Sequence, residues 1–296
     1  MRIYRNAPRF AARCEADGSE SPRLMAARRT LHAAASLVLP LLVAVSPPVQ
    51  ASDLAREGRI AAELAGAILE GDVRRLKAGE ADFLAIDKAS TTGETRGAVV
   101  LLHDRGAHPD WPDVIHPLRV GLPTAGWRTL SIQLPVAAAD APDGAYETLV
   151  TEAGPRIAAA ATFLREGEAR QPVVLVGHGL GARMASDYLA SAPADSVQAF
   201  VAIGLPAGPR EAAGTLDALA KSRVPTLDLY GGRDLDTVGA GAPARRQAAQ
   251  RAGNLAYQQI EVPGADHAFT GMGDTLLARV RAWLHRVLPK GTGGPR

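Results

Sequence analysis

A chain of 296 residues, 47% hydrophobic and 22% charged, is long enough to bury one large core and too apolar to remain disordered. Its net charge of +2 comes from one end: seven of 33 basic residues and three of 31 acidic ones precede residue 52, leaving 26 basic against 28 acidic in the body. A body without basic excess argues against a nucleic-acid partner.

At the amino end, Arg28-Arg29 precede an apolar run from Leu31 to Val45 that is too short to span a bilayer and is broken by Pro40. It reads as the hydrophobic region of a signal peptide, and Val49-Gln50-Ala51 offers the small residues a signal peptidase accepts. Cleavage after Ala51 is expected, giving a periplasmic mature chain from Ser52 with no stable membrane anchor. Met25 alone would give a leader of ordinary length, so translation could start there. The single cysteine, Cys14, lies before the cut, which removes thiol catalysis and cysteine-built metal sites from consideration.

Residues 52–71 read as a lead-in helix. Asp72 to Lys77 and Ala81 to Asp87 then read as an antiparallel hairpin turning at Ala78-Gly79-Glu80. Apolar runs follow at Gly97 to His103, Thr129 to Leu134, Val173 to Gly177, Ala199 to Gly204, Thr226 to Tyr230 and Ala256 to Val262. Helical spacing occupies Tyr146 to Arg165, Leu180 to Ser191, Pro243 to Ala252 and Asp274 to Val287. Strands that are apolar throughout are covered on both faces. The expected architecture is α/β: a doubly wound, mostly parallel sheet with helices on both faces, opening on the hairpin and filling residues 72–289. Residues 290–296 read as a flexible tail. Val136 to Gly144, an Ala/Asp/Pro/Gly loop, is placed at the sheet edge where such folds bind ligands.

The sharpest motif is Val173-Val174-Leu175-Val176-Gly177-His178-Gly179-Leu180-Gly181, a strand entering a helix through a glycine-flanked turn. It resembles the nucleophile elbow of the α/β-hydrolase superfamily, Gly-x-Ser-x-Gly, with Gly179 in the serine's place. The resemblance continues in the same chain order. Leu227 to Asp234 is similar to the strand and loop carrying the acid, and Gly264 to Phe269 to the loop carrying the histidine, which implies Asp234 and His267 as remnants of a catalytic pair. Val99 to Gly106 is similar to the strand and loop that supply half of the oxyanion hole. There Asp104 stands where many members have glycine, and a carboxylate beside a developing oxyanion would oppose catalysis. His103, Asp104, Gly106, His178, Gly179 and Leu180 are the candidate binding residues. The run His108-Pro109-Asp110-Trp111-Pro112, with Gly126-Trp127 and Leu134-Pro135, resembles an uncharacterised proteobacterial family of exported α/β-hydrolase-like proteins that shares the Gly-His-Gly elbow.

Loss of the elbow serine costs a hydrolase on the order of 10⁶ in turnover. Ser186, well into the following helix, and Ser131, within a strand, are poor substitutes. The leading expectation is therefore a hydrolase-fold protein without serine chemistry, whose cleft binds a small apolar or acyl-bearing ligand or a protein partner, with no cofactor. A second is weak ester hydrolysis in which His267, oriented by Asp234, activates water. A third is metal binding by the loop holding His103, Asp104, His108, Asp110, Asp113 and His116. His178 reads either as a donor in the cleft or as a ring packed beneath the elbow; Trp111 and Trp127 read as packing aromatics.

Overall fold

The computed structural model describes residues 52–289 except 143, 168–170, 194 and 209–211; the expected leader and tail lie outside these residues. Eight strands form one sheet: β1 (Asp72–Ala78), β2 (Ala81–Lys88), β3 (Gly97–Leu102), β4 (Trp127–Ile132), β5 (Val173–His178), β6 (Ala199–Ile203), β7 (Thr226–Arg233) and β8 (Tyr257–Asp266). Their order is β1-β2-β4-β3-β5-β6-β7-β8. The β1–β2 and β2–β4 pairs are antiparallel and the rest parallel, as the apolar strands and the opening hairpin imply.

Alternate residues of each strand feed two cores. Ala98, Val100 and Leu102 of β3 join Val173 and Leu175 of β5 in one, against α3 (Ala145–Gly167) and α4 (Leu180–Ser191). Val99, Leu101, Val174 and Val176 face the other way, against α2 (Ile115–Gly121) and α8 (Gly273–Val287). The lead-in helix is α1 (Leu54–Ala67), shorter than the sequence indicates because Ile68 is already extended. It is fastened by a buried ion pair, Glu57 Oε2 to Arg156 Nη1 at 2.8 Å.

Four elements escape the sequence reading: α2, the 3₁₀ turn Leu122–Ala125, α5 (Ala212–Leu219) and α6 (Asp236–Gly239). Each has eight residues or fewer, too short to display two full periods of apolar spacing. The strand placed at Thr129 to Leu134 begins instead at Trp127, whose indole is fully buried, and the last strand extends to Asp266.

The topology creates the site. The chain leaves β3 for β4 on one side and returns to β5 on the other, so β3 and β5 flank a switch point, where parallel sheets of this kind bind ligands beyond their carboxyl ends. Leu102 pairs with Gly177, so Asp104 and Gly179 each stand two residues past a paired position. In the same way Arg233 pairs with Asp266, setting Asp234 beside His267.

The far half of the sheet is held by a buried ion pair. Arg245 of α7 (Ala242–Arg251) is fully buried and reaches Asp228 of β7 through Nε at 2.8 Å and Nη2 at 3.2 Å, while Gln259 Nε2 donates to the same carboxylate. Removing one partner strands the other charge. Arg245→Met should lower unfolding stability by about 3–5 kcal/mol in urea melts, whereas the exposed Lys77→Ala should change it by less than about 0.5 kcal/mol.

Candidate functional site

At the elbow, Gly177 and Gly181 are required by contact. A Cβ on Gly177 would lie 2.6 Å from Ala182 Cα, and one on Gly181 would lie 2.4 Å from the Leu102 carbonyl oxygen. Gly179 has φ +51° and ψ −115°, the left-handed turn that drives a nucleophile out above the sheet. The bare position at Gly179 is filled from elsewhere. A Cβ on Gly179 would lie 2.0 Å from Asp104 Oδ1 and 2.2 Å from Asp104 Cγ. The Asp104 carboxylate stands in the space a serine side chain would enter.

From there Asp104 engages both groups that a serine hydrolase directs at its substrate. Leu180 N–H, the backbone donor at the position that serves the oxyanion in serine hydrolases with this turn, donates to Asp104 Oδ1 at 2.6 Å. His267 Nε2 donates to Asp104 Oδ2 at 3.1 Å, and His267 Nδ1 donates to Asp234 Oδ1 at 2.6 Å. Asp234 also accepts from Gly231 N–H and Leu235 N–H. The expected Asp234–His267 pair therefore exists, extended by Asp104 into a carboxylate–imidazole–carboxylate chain that the sequence reading did not foresee.

Electrostatics fix the protonation. Burial works against a charged His267, but the hydrogen bonds and charges of Asp104 and Asp234 outweigh it and raise its pKa to about 9. Burial likewise opposes ionisation of Asp104, yet the His267 hydrogen bond, the neighbouring histidine charges and Leu180 N–H bring its pKa down to about 2. Asp234 is lowered too, against burial, by His267 and backbone donors. At neutral pH the chain is an imidazolium between two carboxylates, with neither ring nitrogen free to accept a proton.

The other histidines support this arrangement. His103 is buried, which lowers its pKa to about 4; its Nε2 accepts from Leu134 N–H at 3.0 Å, so its Nδ1–H donates to the Asp104 carbonyl at 2.9 Å. His178, named above as a candidate binding residue, is buried, lies outside the walls of both cavities at the site, and donates Nε2–H to the His267 carbonyl at 2.9 Å. Its ring packs 4.8 Å from that of His267. Phe269, buried at φ +53°, keys the same loop into the second core.

The side chains of the loop considered for metal binding engage their neighbours. Asp110 Oδ1 accepts from the Arg119 guanidinium and His116 Nδ1, while His108 packs edge-on to Trp111. Among the described residues the one cluster with metal-ligand potential is Asp104, His178 and His267, whose donor atoms lie within 4.8 Å of one another. His103, His108 and His116 do not gather. Ser186 hydroxyl donates to the Arg183 carbonyl inside α4, and Ser131 is buried in β4, so neither serves as a nucleophile.

Two cavities meet at Asp104. The larger, about 670 Å³, is bounded by Asp104, Gly179, Leu180, Arg183, Leu235 and His267. The smaller, about 290 Å³, includes His103, Asp104, Gly106, Leu180, Met184 and the Val136–Ala137 start of the loop singled out by sequence. Tyr146 lines both, with the Arg105 guanidinium 3.8 Å above its ring. The roles of Tyr146, Arg105 and Arg183 were not legible: no motif marks them, and the fold alone brings them here.

The site carries a pH signature. A proton held more tightly by folded than by unfolded His267 contributes fully below about pH 6.5, and that contribution is lost as pH rises through about 9. The lowered carboxylates contribute above the ordinary carboxylate range and lose their effect as pH falls toward about 2. The melting temperature of the wild type should fall between about pH 6.5 and pH 9 more steeply than that of Asp104→Asn, measured by scanning calorimetry.

Comparison with known proteins agrees with this architecture. No curated protein sequence matches the chain. Among solved structures, Est1E from Butyrivibrio proteoclasticus superposes with a TM-score of 0.61 at 13% identity, covering 74% of this chain and 99% of its own. A thermostable carboxyl esterase from Bacillus coagulans gives 0.60 at 12%, covering 75% and 100%. Dienelactone hydrolase from Anabaena variabilis gives 0.56 at 21%, covering 74% and 98%. At these identities the likeness establishes the α/β-hydrolase fold alone. A family model described as "Protein of unknown function (DUF3530)" matches residues 33–155 and 145–286, and the chain belongs to that family.

Proposed function

We propose that the protein binds a small apolar or acyl-bearing molecule in the cleft above Gly179 and performs no serine-type acyl transfer there. One observation carries the reading: the Asp104 carboxylate fills the nucleophile's space and occupies both the Leu180 N–H donor and His267. An acyl substrate would meet neither a hydroxyl nor a vacant oxyanion donor. Support for binding comes from the cavity of about 670 Å³, within the range of small-molecule sites, with apolar walls at Leu180, Pro206 and Leu235 and a few polar groups to orient a ligand.

Water activation by His267 requires a free ring nitrogen, which the two carboxylates withhold until the pH approaches about 9. The general-base reading therefore predicts activity confined to alkaline solution. The leader read from the sequence supports a periplasmic setting, and the His108-Pro109-Asp110-Trp111-Pro112 run with the Gly-His-Gly elbow supports an exported proteobacterial family. A protein partner is the competing occupant of the cleft, and small-molecule binding measurements on the isolated chain separate the two.

The wild type should show no fluorophosphonate labelling and hydrolyse 4-nitrophenyl butyrate no faster than buffer. Gly179→Ser alone should be destabilised, because its Cβ would meet Asp104 Oδ1 at 2.0 Å. Asp104→Ala combined with Gly179→Ser frees the space, the Leu180 donor and the Asp234–His267 pair. That double variant should label and should gain roughly 10²-fold or more in ester turnover. Wild-type turnover abolished by His267→Ala would contradict the proposal.

A further inference from the structure

We propose that the cavity at the end of the sheet opposite the cleft binds a phosphate-type oxyanion, held by Arg96, Arg281 and His285. The site shares no residue with the cavities above Gly179 and stands independently of what they bind.

Its place follows from the topology. β3 and β4 run parallel, so the residues just before Gly97 and Trp127 meet at the amino ends of these strands, away from Asp104 and Gly179. There a cavity of about 430 Å³ lies between the loop carrying Thr92 to Arg96, the Thr124–Ala125 end of the 3₁₀ turn, and His285 in the last turn of α8.

Arg96 is set in place by the backbone. Its N–H donates to the Gly126 carbonyl at 2.7 Å, and its stem crosses Gly126, where a Cβ would lie 3.2 Å from Arg96 Cγ. Arg281 precedes His285 by one helical turn and so shares its face of α8. Among the described residues no carboxylate pairs with either guanidinium. The macrodipole of α8 accounts for basic residues in its last turn, where Arg286 also reaches Gln258. It does not account for Arg96, which arrives from a separate loop.

His285 adds an unmet polar atom. The residue lines the cavity, and its Nε2 is closed off from solvent with no hydrogen-bond partner among the described residues. Burial and the charges of Arg96 and Arg281 favour the neutral ring, against the pull of the Ala125 carbonyl. An anion beside the two guanidiniums offsets their repulsion, favours the charged ring and gives Nε2–H an acceptor.

Chemistry selects the anion. Guanidinium groups present forked N–H donors that match phosphate oxygens. Three cationic groups converging from two elements suit an ion with several charged oxygens better than a carboxylate with two. The Thr92 and Thr124 hydroxyls donate to the Glu94 and Gly121 carbonyls, so recognition rests on the cations. Glu94 is the one acid on the wall, and its charge opposes the anion. Free phosphate and the phosphate of a lipid headgroup share this chemistry.

The test titrates potassium phosphate into the purified, ¹⁵N-labelled full chain at constant ionic strength and follows the His285 ring nitrogens by NMR. A second arm measures co-sedimentation with phosphatidylcholine vesicles, with and without phosphatidic acid. The proposal predicts a saturable shift at His285 or sedimentation that depends on phosphatidic acid, weakened about tenfold by Arg96→Gln and tightened by Glu94→Gln. Arg281→Gln, on an exposed position of α8, should weaken binding as well and keeps the test open where Arg96→Gln fails to fold. A shift with phosphate and no sedimentation assigns the free ion, and sedimentation assigns the headgroup. No saturable response in either arm, a His285 response that potassium chloride reproduces, or an affinity that both arginine variants leave unchanged overturns the proposal.

Discussion

Everything distinctive about the site follows from one contact, the Asp104 carboxylate lodged against a residue that has no side chain. Any Cβ at residue 179 would fall inside the Asp104 carboxylate's van der Waals envelope, so a side chain there requires that carboxylate to move. The same contact delivers a negative charge to His267 and to Leu180 N–H. The missing hydroxyl and the added carboxylate are thus two halves of a single arrangement. A simple loss of serine would have left an empty elbow and a histidine held by Asp234 alone.

The fold makes the contact cheap to form. Parallel pairing of β3 with β5 brings the two loops to the same height, and the β7–β8 pairing does the same for Asp234 and His267. Buried groups then hold the loops still: His103 ties the Asp104 carbonyl to Leu134, and His178 ties the His267 carbonyl to the elbow. Both rings lie in surroundings that favour their neutral forms, so charge stays on His267, where two carboxylates meet it. A partly buried triad with net charge −1 remains stable because every carboxylate oxygen named in it has a donor.

Much of this was legible in the residues. Apolar strands without alternation announced the parallel sheet, and the glycines at 177 and 181 announced the tight strand-to-helix turn. The chain order of elbow, Asp234 and His267 marked the two as a candidate pair but not their separation, which the strand register sets at 2.6 Å. Asp104 was recognised as hostile to an oxyanion hole, but its actual place was hidden, since strand register and not spacing decides which residue of one loop faces which residue of another. The loop holding His103, Asp104, His108, Asp110, Asp113 and His116 offered ligand types for a metal, but its histidines do not gather, and Asp110 clamps the buried Arg119. Short helices and the cavity-lining Tyr146 and Arg183 left no periodic trace at all.

The protonation of His267 tests this account most directly. In ¹⁵N-labelled protein at pH 7.5, both ring nitrogens of His267 should carry protons in nitrogen–proton NMR spectra, and the ring should titrate near pH 9. In Asp104→Asn the titration should move down toward the ordinary histidine value of about 6.5. A wild-type His267 with one unprotonated nitrogen at pH 7.5, or a titration that Asp104→Asn leaves unmoved, would contradict it.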